Sequence, residues 1–251
     1  MSRSILITGA SSGIGRQLAL EFAARGYRLA LAARRVDSLV ALKQEILAAQ
    51  PQAQVELRAL DVQQTGSVAA VIEELATTLG GLDIVVANAG IGDSGGNIGS
   101  GGFARDAAII QTNVLGAMAT IDAAVALFRR QQQGQIVAIS SVAAARGLPG
   151  AGSYSASKAA IAVYADSARN ELHGTAIRVT TLYPGFIDTA INQRLRSRPF
   201  VIPVEKGGRI IADLIERRVQ QAAVPGWPWS LVMPLMKLLP ATLVAKQNPL
   251  K

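Results

Sequence analysis

Residues 4–25 read SILITGASSGIGRQLALEFAAR, a stretch with three successive parts. The apolar run from Ser4 to Thr8 predicts a short buried strand, and the pattern from Arg16 to Arg25 predicts a helix. The glycines between them permit a tight turn and a close backbone approach, and the free N–H groups at the helix start favour an anion. The stretch predicts a dinucleotide-binding unit. Its G-x-x-x-G-x-G spacing differs from the usual G-x-G-x-x-G, so a simple tight turn is the alternative.

The residues after the second predicted strand, 28–33, indicate which dinucleotide binds. Arg34 and Arg35 stand there, about 20 residues past the last glycine, at the position that faces the adenosine ribose. An acidic residue at this point would bind the 2′-hydroxyl of NAD, and none is present. Two guanidinium groups suit the 2′-phosphate of NADP, and Arg16 offers a third positive charge. Solvated arginines at helix starts are the alternative.

Strand and helix patterns alternate along most of the chain. This alternation predicts an α/β fold, a single-domain doubly wound parallel sheet of the Rossmann type. We expect residues 1–225 to form the dinucleotide-binding and catalytic part and residues 226–251 to form a C-terminal extension. Further strands are predicted over residues 54–60, 82–87, 135–140, 176–182 and 221–224, and helices over residues 36–49, 67–79, 103–130, 153–173 and 204–221.

The composition of the 251 residues argues against several kinds of site. The absence of Cys excludes disulfides and cysteine chemistry, and a single His, His173, argues against a His triad or a metal site. The apolar runs considered are too short for a signal peptide or a membrane span, so we expect a cytoplasmic location. The net charge of +8 comes without a dense basic run or a nucleic-acid-binding motif, which favours an anionic cofactor, substrate or lipid surface.

Tyr154 and Lys158 carry the predicted chemistry. They are four residues apart at the start of a predicted helix, so they share one face. A neighbouring cation favours a phenolate and lowers the tyrosine pKa, which gives a general acid that reversibly protonates an alkoxide. An isolated Y-x-x-x-K is usually a surface pair. The catalytic interpretation depends on the Gly-rich turn and on Ser141, which closes the preceding strand.

The roles of three other features are open. Asp61, after the third predicted strand, caps the next helix or hydrogen-bonds the adenine. The Gly-rich run 91–102 is a mobile loop on the substrate side or a neutral surface insertion. Asn113 is a poor helix former in mid-helix, which favours a functional role.

Taken in this order, these features resemble the short-chain dehydrogenase/reductase family over roughly residues 4–225. The resemblance implies that Tyr154 is the general acid in reduction and the base in oxidation. Lys158 would hold the nicotinamide ribose and depress the Tyr154 pKa, and Ser141 would orient the substrate carbonyl. Asn113 would hold a water in a proton relay. The implied NADP contacts are Gly9, Ser11, Ser12, Gly13, Ile14, Gly15, Arg34, Arg35, Asp61, Val62, Asn88, Ala89, Gly90, Tyr154, Lys158, Pro184, Gly185, Ile187 and Thr189.

The expected function is the NADPH-dependent reduction of a carbonyl group. The substrate-side loops hold few polar anchors, which favours a fairly apolar aldehyde or ketone. An anionic group is the alternative, received by Arg146, Arg194, Arg196 and Arg198. Two other classes remain: a non-catalytic NADPH-binding regulator with the same fold, and an adaptor at a membrane surface.

Two surfaces are expected to meet partners. Family members commonly pack through their long helices, which implies a homodimer or homotetramer through residues 103–130 and 153–173; ordinary intrachain core is the alternative. The segment 227–240 combines Trp and Leu side chains with basic flanks. It suits a peripheral membrane contact, a cover over a hydrophobic substrate pocket, or an oligomer contact.

Overall fold

The computed structural model describes residues 2–92, 96–193, 195 and 197–245. They form a seven-stranded parallel sheet in the order β3-β2-β1-β4-β5-β6-β7. The order reverses between β1 and β4, and ligands of such sheets bind outside the carboxyl ends of the strands at this point. The predicted fold class is confirmed. The strands are β1 (Ser4–Thr8), β2 (Arg28–Ala33), β3 (Val55–Ala59), β4 (Ile84–Ala87), β5 (Gly134–Ile139), β6 (Ile177–Pro184) and β7 (Gln221–Val224).

Helices cover both faces of the sheet. β1 and β4 are buried along their whole lengths, which explains why these strands are continuous apolar runs. A π-helical segment (Gln111–Gly116) and a 3₁₀ turn (Val142–Ala145) complete the described structure. The helices are α1 (Gly13–Ala24), α2 (Val36–Ala49), α3 (Thr65–Leu79), α4 (Phe103–Ile110), α5 (Ala117–Gln131), α6 (Gly152–Glu171), α7 (Val204–Glu216), α8 (Gly226–Leu238) and α9 (Ala241–Ala245).

The largest differences from the predicted boundaries concern two helices. The predicted helix 103–130 is interrupted by the π-helical segment, so α4 and α5 are separate α-helices. The predicted helix 204–221 ends at Glu216, because Arg218 adopts a left-handed conformation (φ 51°) before the chain enters β7.

The segment Phe103–Gln131 is long and apolar enough to cross a membrane by length and composition. Half of its most apolar window is buried inside the protein. Ile121, Ala124 and Phe128 belong to the core cluster on one face of the sheet. This apolar character is explained by packing within the fold, and the Ala124 part of the expected oligomer face is intrachain core.

Candidate active site

An open cleft of about 390 Å³ lies at the carboxyl ends of the strands, where β1 and β4 diverge. Of the residues implied to bind the cofactor, every one except Gly15 lines it. Ser141 and Asn113 lie behind the lining, next to Ser140 and Thr112, which belong to it. The cleft brings together residues from segments far apart in the chain, as expected for this fold.

The Gly-rich turn requires its glycines. Gly9 has φ +68°, and a Cβ there would lie 2.7 Å from Ala89 Cα. A Cβ on Gly15 would lie 2.5 Å from both Asn88 Nδ2 and Gly9 O, so Gly15 packs the turn against its neighbour and does not face the cleft. Gly13 (φ +56°) has only the Thr189 side chain nearby, at 3.5 Å. The turn is therefore closed behind and open towards the cleft.

The start of α1 is suited to an anion. Its N-cap residue, Ser12, makes no side-chain capping hydrogen bond, and its first turn has no acidic residue. The first N–H groups of a helix have no partner within the helix and lie at the positive end of its dipole. Together with the open side of Gly13, these residues fit the pyrophosphate of a dinucleotide.

Asn88 ties this turn to the end of β4. Its Nδ2 donates to Thr8 O at 2.9 Å, and its backbone N–H donates to Thr8 Oγ1 at 3.1 Å. The Thr8 hydroxyl in turn donates to Val86 O at 3.2 Å. Asn88 thus holds the two loops together at the point where the strand order reverses.

At the other end of the cleft, Arg34 and Arg35 are exposed in its lining. Arg35 donates to Ser11 Oγ at 3.3 Å, and within the described residues neither guanidinium has a carboxylate partner. Arg16 differs, because it forms an ion pair with Glu45. The expected third positive charge is therefore neutralised by a residue 29 positions away.

Asp61 does not cap α3, whose N-cap residue is Gln64. Its carboxylate accepts a hydrogen bond from Gln63 N at 3.1 Å, a local turn before the helix, and it lines the cleft. The capping interpretation is wrong, and the adenine interpretation remains a prediction.

Ser141 and Tyr154 are neighbours at the reacting end of the cleft. Ser141 Oγ accepts from Ala143 N at 3.1 Å and donates to Pro184 O at 3.3 Å, so the 3₁₀ turn and the end of β6 fix its position. Burial raises the pKa of the Tyr154 hydroxyl, and the bond with Ser141 lowers that pKa in part. The net direction is upward, opposite to the lowering expected from a nearby lysine.

Lys158 lies below Tyr154 on α6. Its Nζ donates to Ile139 O at 2.9 Å, and the residue is buried. Burial lowers the pKa of the ammonium to about 8. Tyr154 and Lys158 are close together, as predicted. Desolvation, however, affects the pKa of each side chain more than the neighbouring side chain does.

Asn113 is buried in the π-helical segment and holds the chain beyond β4. Its Oδ1 accepts from Ile91 N at 2.8 Å, and its Nδ2 donates to Ile91 O at 2.8 Å and to Ser157 Oγ at 3.1 Å. The amide group is therefore occupied by protein partners. The implied water in a proton relay stays a prediction. The Asn113 side chain would contribute to such a relay by fixing the positions of Ile91 and Ser157.

The arginines proposed for an anionic substrate have other partners. Arg146 donates to the carbonyl oxygens of Met236 and Leu239, at the end of α8. Arg198 forms an ion pair with Asp188 at 2.6 Å. Arg194 and Arg196, like residues 93–95 of the Gly-rich run, lie outside the described residues. The two described arginines thus give no support to an anion site.

Sequence reasoning missed three side chains near the site. Ser157 Oγ donates to Tyr154 O at 2.7 Å, and Asn192 Nδ2 donates to Ile187 O at 2.7 Å. Trp229 of α8 is buried against Gly185: a Cβ on that glycine would overlap the indole. The Trp-rich composition of the tail was the available signal for Trp229, whereas the other two contacts depend on loop geometry.

The fold and the cleft define a nicotinamide-dependent oxidoreductase of the Rossmann class. A family model described as short chain dehydrogenase matches residues 3–199. Two uncharacterized oxidoreductases are similar over nearly their whole lengths. One, from Mycobacterium tuberculosis, is 40% identical over 245 residues, covering 97% of this chain and 96% of the relative. The other, from Myxococcus xanthus, is 39% identical over 244 residues, covering 96% and 94%. The chain belongs to the short-chain dehydrogenase family, as predicted.

Solved structures agree with this assignment. The alcohol dehydrogenase from the archaeon Thermococcus sibiricus, complexed with 5-hydroxy-NADP, has a TM-score of 0.80 at 28% identity, covering 89% of this chain and 96% of that one. A short-chain dehydrogenase/reductase from Burkholderia phymatum in complex with NAD has a TM-score of 0.82 at 23% identity, covering 92% and 91%, a likeness of fold. A nicotinamide dinucleotide is thus supported as the cofactor.

Proposed function

We propose that this oxidoreductase uses NADPH to reduce an apolar aldehyde or ketone to an alcohol. The observation that carries the proposal is a cleft with Tyr154 and Lys158 in its lining, Ser141 directly behind them, and two arginines at its far end. A general acid beside an oxygen-binding hydroxyl suits a reaction in which negative charge develops on oxygen.

The protein's part in the reaction is to hold and protonate the substrate oxygen. Ser141 donates a hydrogen bond to this oxygen, and Tyr154 gives it a proton as charge develops. When bound, the cofactor supplies the hydride that the carbonyl carbon receives. The raised pKa of Tyr154 keeps the phenol protonated at neutral pH, which suits the direction of reduction.

Lys158 has a second role in this proposal. Its ammonium is the buried cation of the site, and Ile139 O accepts one of its hydrogen bonds. Its remaining N–H donors can hold the ribose hydroxyls next to the nicotinamide. A positive charge in this position also favours the developing phenolate once Tyr154 has released its proton.

Arg34 and Arg35 support the choice of NADPH over NADH. Their exposed guanidinium groups stand at the adenosine end, and β2 ends in Ala33 without an acidic side chain. Arginine binds phosphate through paired, charge-assisted hydrogen bonds. A 2′-phosphate would therefore be bound here.

The apolar substrate class is supported by the lining near Tyr154. Gly92 approaches the tyrosine ring, and Ile191 lies against Gly92 and is partly exposed in the cleft. The arginines that could have received an anionic group are engaged elsewhere, where the structure describes them. A substrate with apolar groups flanking the carbonyl would cover this surface.

The decisive experiment is NADPH consumption by the purified protein with a panel of aldehydes, ketones, quinones and 3-oxoacyl thioesters. NADH and the variant Tyr154→Phe are tested in parallel. Turnover that requires both NADPH and Tyr154 would support the proposal. Near wild-type turnover by Tyr154→Phe would contradict the mechanism. Tight NADPH binding without turnover on any substrate would favour the regulatory alternative.

We also infer a homo-oligomer that forms through α4, α5 and α6. Phe103, Leu115 and Val163 are large apolar side chains exposed on or between these helices. Apolar side chains presented together by long helices are suited to packing between subunits. Light scattering on the purified protein, compared with Phe103→Glu, tests this inference: a monomer mass for the wild type would contradict it.

A further inference from the structure

The outward face of α8 is apolar and has no part in the site described above. Trp227 is 78% exposed and Leu238 79%, and the two leucines between them are about half exposed. Leu231, Leu235 and Leu238 are three and four residues apart on the helix, so their side chains form a continuous row, with Trp227 at the kinked start of α8. We call this row the α8 ridge; it consists of Trp227, Leu231, Leu235 and Leu238.

The opposite face of α8 is already covered. Trp229 is buried, and Val232 and Met233 pack with it in a separate hydrophobic cluster at the edge of the sheet. A surface helix of a globular protein normally presents polar residues on its solvent side. α8 is apolar on both sides, so the ridge needs a further partner.

Charge indicates the nature of this partner. Residues 225–251 contain three lysines, Lys237, Lys246 and Lys251, and no Asp or Glu. Lys237 is exposed and stands between two members of the ridge. The whole chain carries a net charge of +8. Lysines beside exposed apolar residues suit an anionic lipid surface, with roughly 1 kcal/mol of attraction for each lysine near that surface.

Trp227 adds an independent indication. It stands at the beginning of α8, where the backbone is kinked (φ −90°, ψ 133°), and its indole projects into solvent. Tryptophan favours the boundary between lipid headgroups and acyl chains, because its ring is apolar and its N–H is polar. A tryptophan at one end of a leucine row is an arrangement found in interfacial helices.

We propose that the α8 ridge docks on an anionic lipid surface. α8 has 13 residues and is too short to span a bilayer, so it lies in the plane of the interface with its leucines in the acyl boundary. Lys237 then faces the anionic headgroups.

Docking would bring the active site close to the lipid. The inner face of α8 contacts Gly185 through Trp229, and Arg146 holds the end of the helix through Met236 and Leu239. The substrate side of the cleft would thus lie near the interface, where lipophilic carbonyl compounds partition. This last step rests on the proposed function, whereas docking itself does not.

The test is flotation of the full-length protein with vesicles of phosphatidylcholine, with and without phosphatidylglycerol. The wild type is expected to float with the anionic vesicles and to be released by high salt. The double variant Leu231→Glu/Leu235→Glu is expected to remain at the bottom. The matched control is Val40→Glu, which changes a side chain 43% exposed on α2 and is expected to float like the wild type.

Lys237→Glu separates the two parts of the proposal, since it keeps the ridge and reverses its nearest charge. We expect this variant to float less than the wild type. Melting curves of all variants identify any that are unfolded. Failure of the wild type to float, or flotation of a folded double variant, would overturn the proposal. The proposal would also be overturned if the double substitution changed the molecular mass in light scattering and left flotation unchanged. The ridge would then join two copies of the chain. Flotation without enzymatic turnover would leave docking supported and count against the proposed function alone.

Discussion

The ammonium group of Lys158 lies 5.8 Å from the centroid of the Tyr154 ring. The lysine is buried, and burial lowers its pKa from 10.5 to about 8. The unfolded chain therefore binds more protons than the native protein between pH 8 and 10.5, and stability contributed by this group rises with pH across that window. Below pH 8 the full cost of burying the charge is present.

Lys158→Met should therefore stabilise the fold at pH 7. Removing the buried charge offsets the lost hydrogen bond to Ile139, so the free energy of unfolding should rise by about 2 kcal/mol. The gain should fade towards pH 10. Urea unfolding of both proteins at the two pH values measures it, with exposed Lys206→Met as the control. An equal loss of stability at both pH values would contradict the prediction.

Ser141→Ala should move the pH profile of alcohol oxidation. The interaction with Ser141 lowers the pKa of Tyr154, so its loss should raise that pKa. Oxidation requires the deprotonated phenol, and its rate increases with pH through this pKa. The rising limb should therefore shift to higher pH. Ser155→Ala is the matched control, because Ser155 Oγ is buried without a hydrogen-bond partner within the described residues. An unshifted limb for Ser141→Ala would refute the prediction.

Arg35→Ala should reduce the preference for NADPH. A hydrogen bond to a charged group contributes about 1.5–3 kcal/mol, which corresponds to roughly 10–100-fold in affinity. The dissociation constant of NADPH should increase by this factor, while that of NADH should change little. Arg16→Ala serves as the control, because Arg16 is paired with Glu45. Fluorescence titration with both cofactors measures the ratio, and equal effects of the two variants would argue against a 2′-phosphate site at Arg35.

Trp229→Ala should destabilise the protein much more than Trp227→Ala. Truncating a buried tryptophan costs about 3–5 kcal/mol, whereas an exposed side chain usually contributes within about 0.5 kcal/mol. Trp229 is also flanked by Phe186 and Phe200, with ring centroids 6.0 and 5.8 Å away. Denaturant unfolding compares the two variants. Similar midpoints would mean that α8 is not packed on the sheet as described.

The fold could be predicted because its signals are local. Strands buried on both faces are continuous apolar runs, and the turn after β1 needs glycine at Gly9 for a positive φ. The residues around Tyr154 and Lys158 were predicted for the same reason, since the spacing within one helix determines which side chains are neighbours.

The features that could not be predicted depend on distant partners. The pairing of Arg16 with Glu45 joins two helices, and the contact of Trp229 with Gly185 joins α8 to the end of β6. The direction of the Tyr154 pKa shift depends on burial, which spacing along a helix does not report. These are consequences of tertiary packing, and helical periodicity contains no information about them.

The π-helical segment Gln111–Gly116 has a consequence for how this chain can change in length. A π-helical hydrogen bond spans one residue more than an α-helical one, so deleting one residue here would let α4 and α5 join as one regular α-helix. The Asn113 side chain would lose its hydrogen bonds with Ile91. A residue with a Cβ would also move into the position of Gly116, where a Cβ would lie 2.6 Å from Val62. Surface loops elsewhere can change in length during evolution. A change in the number of residues in this segment would instead alter the shape of the cleft.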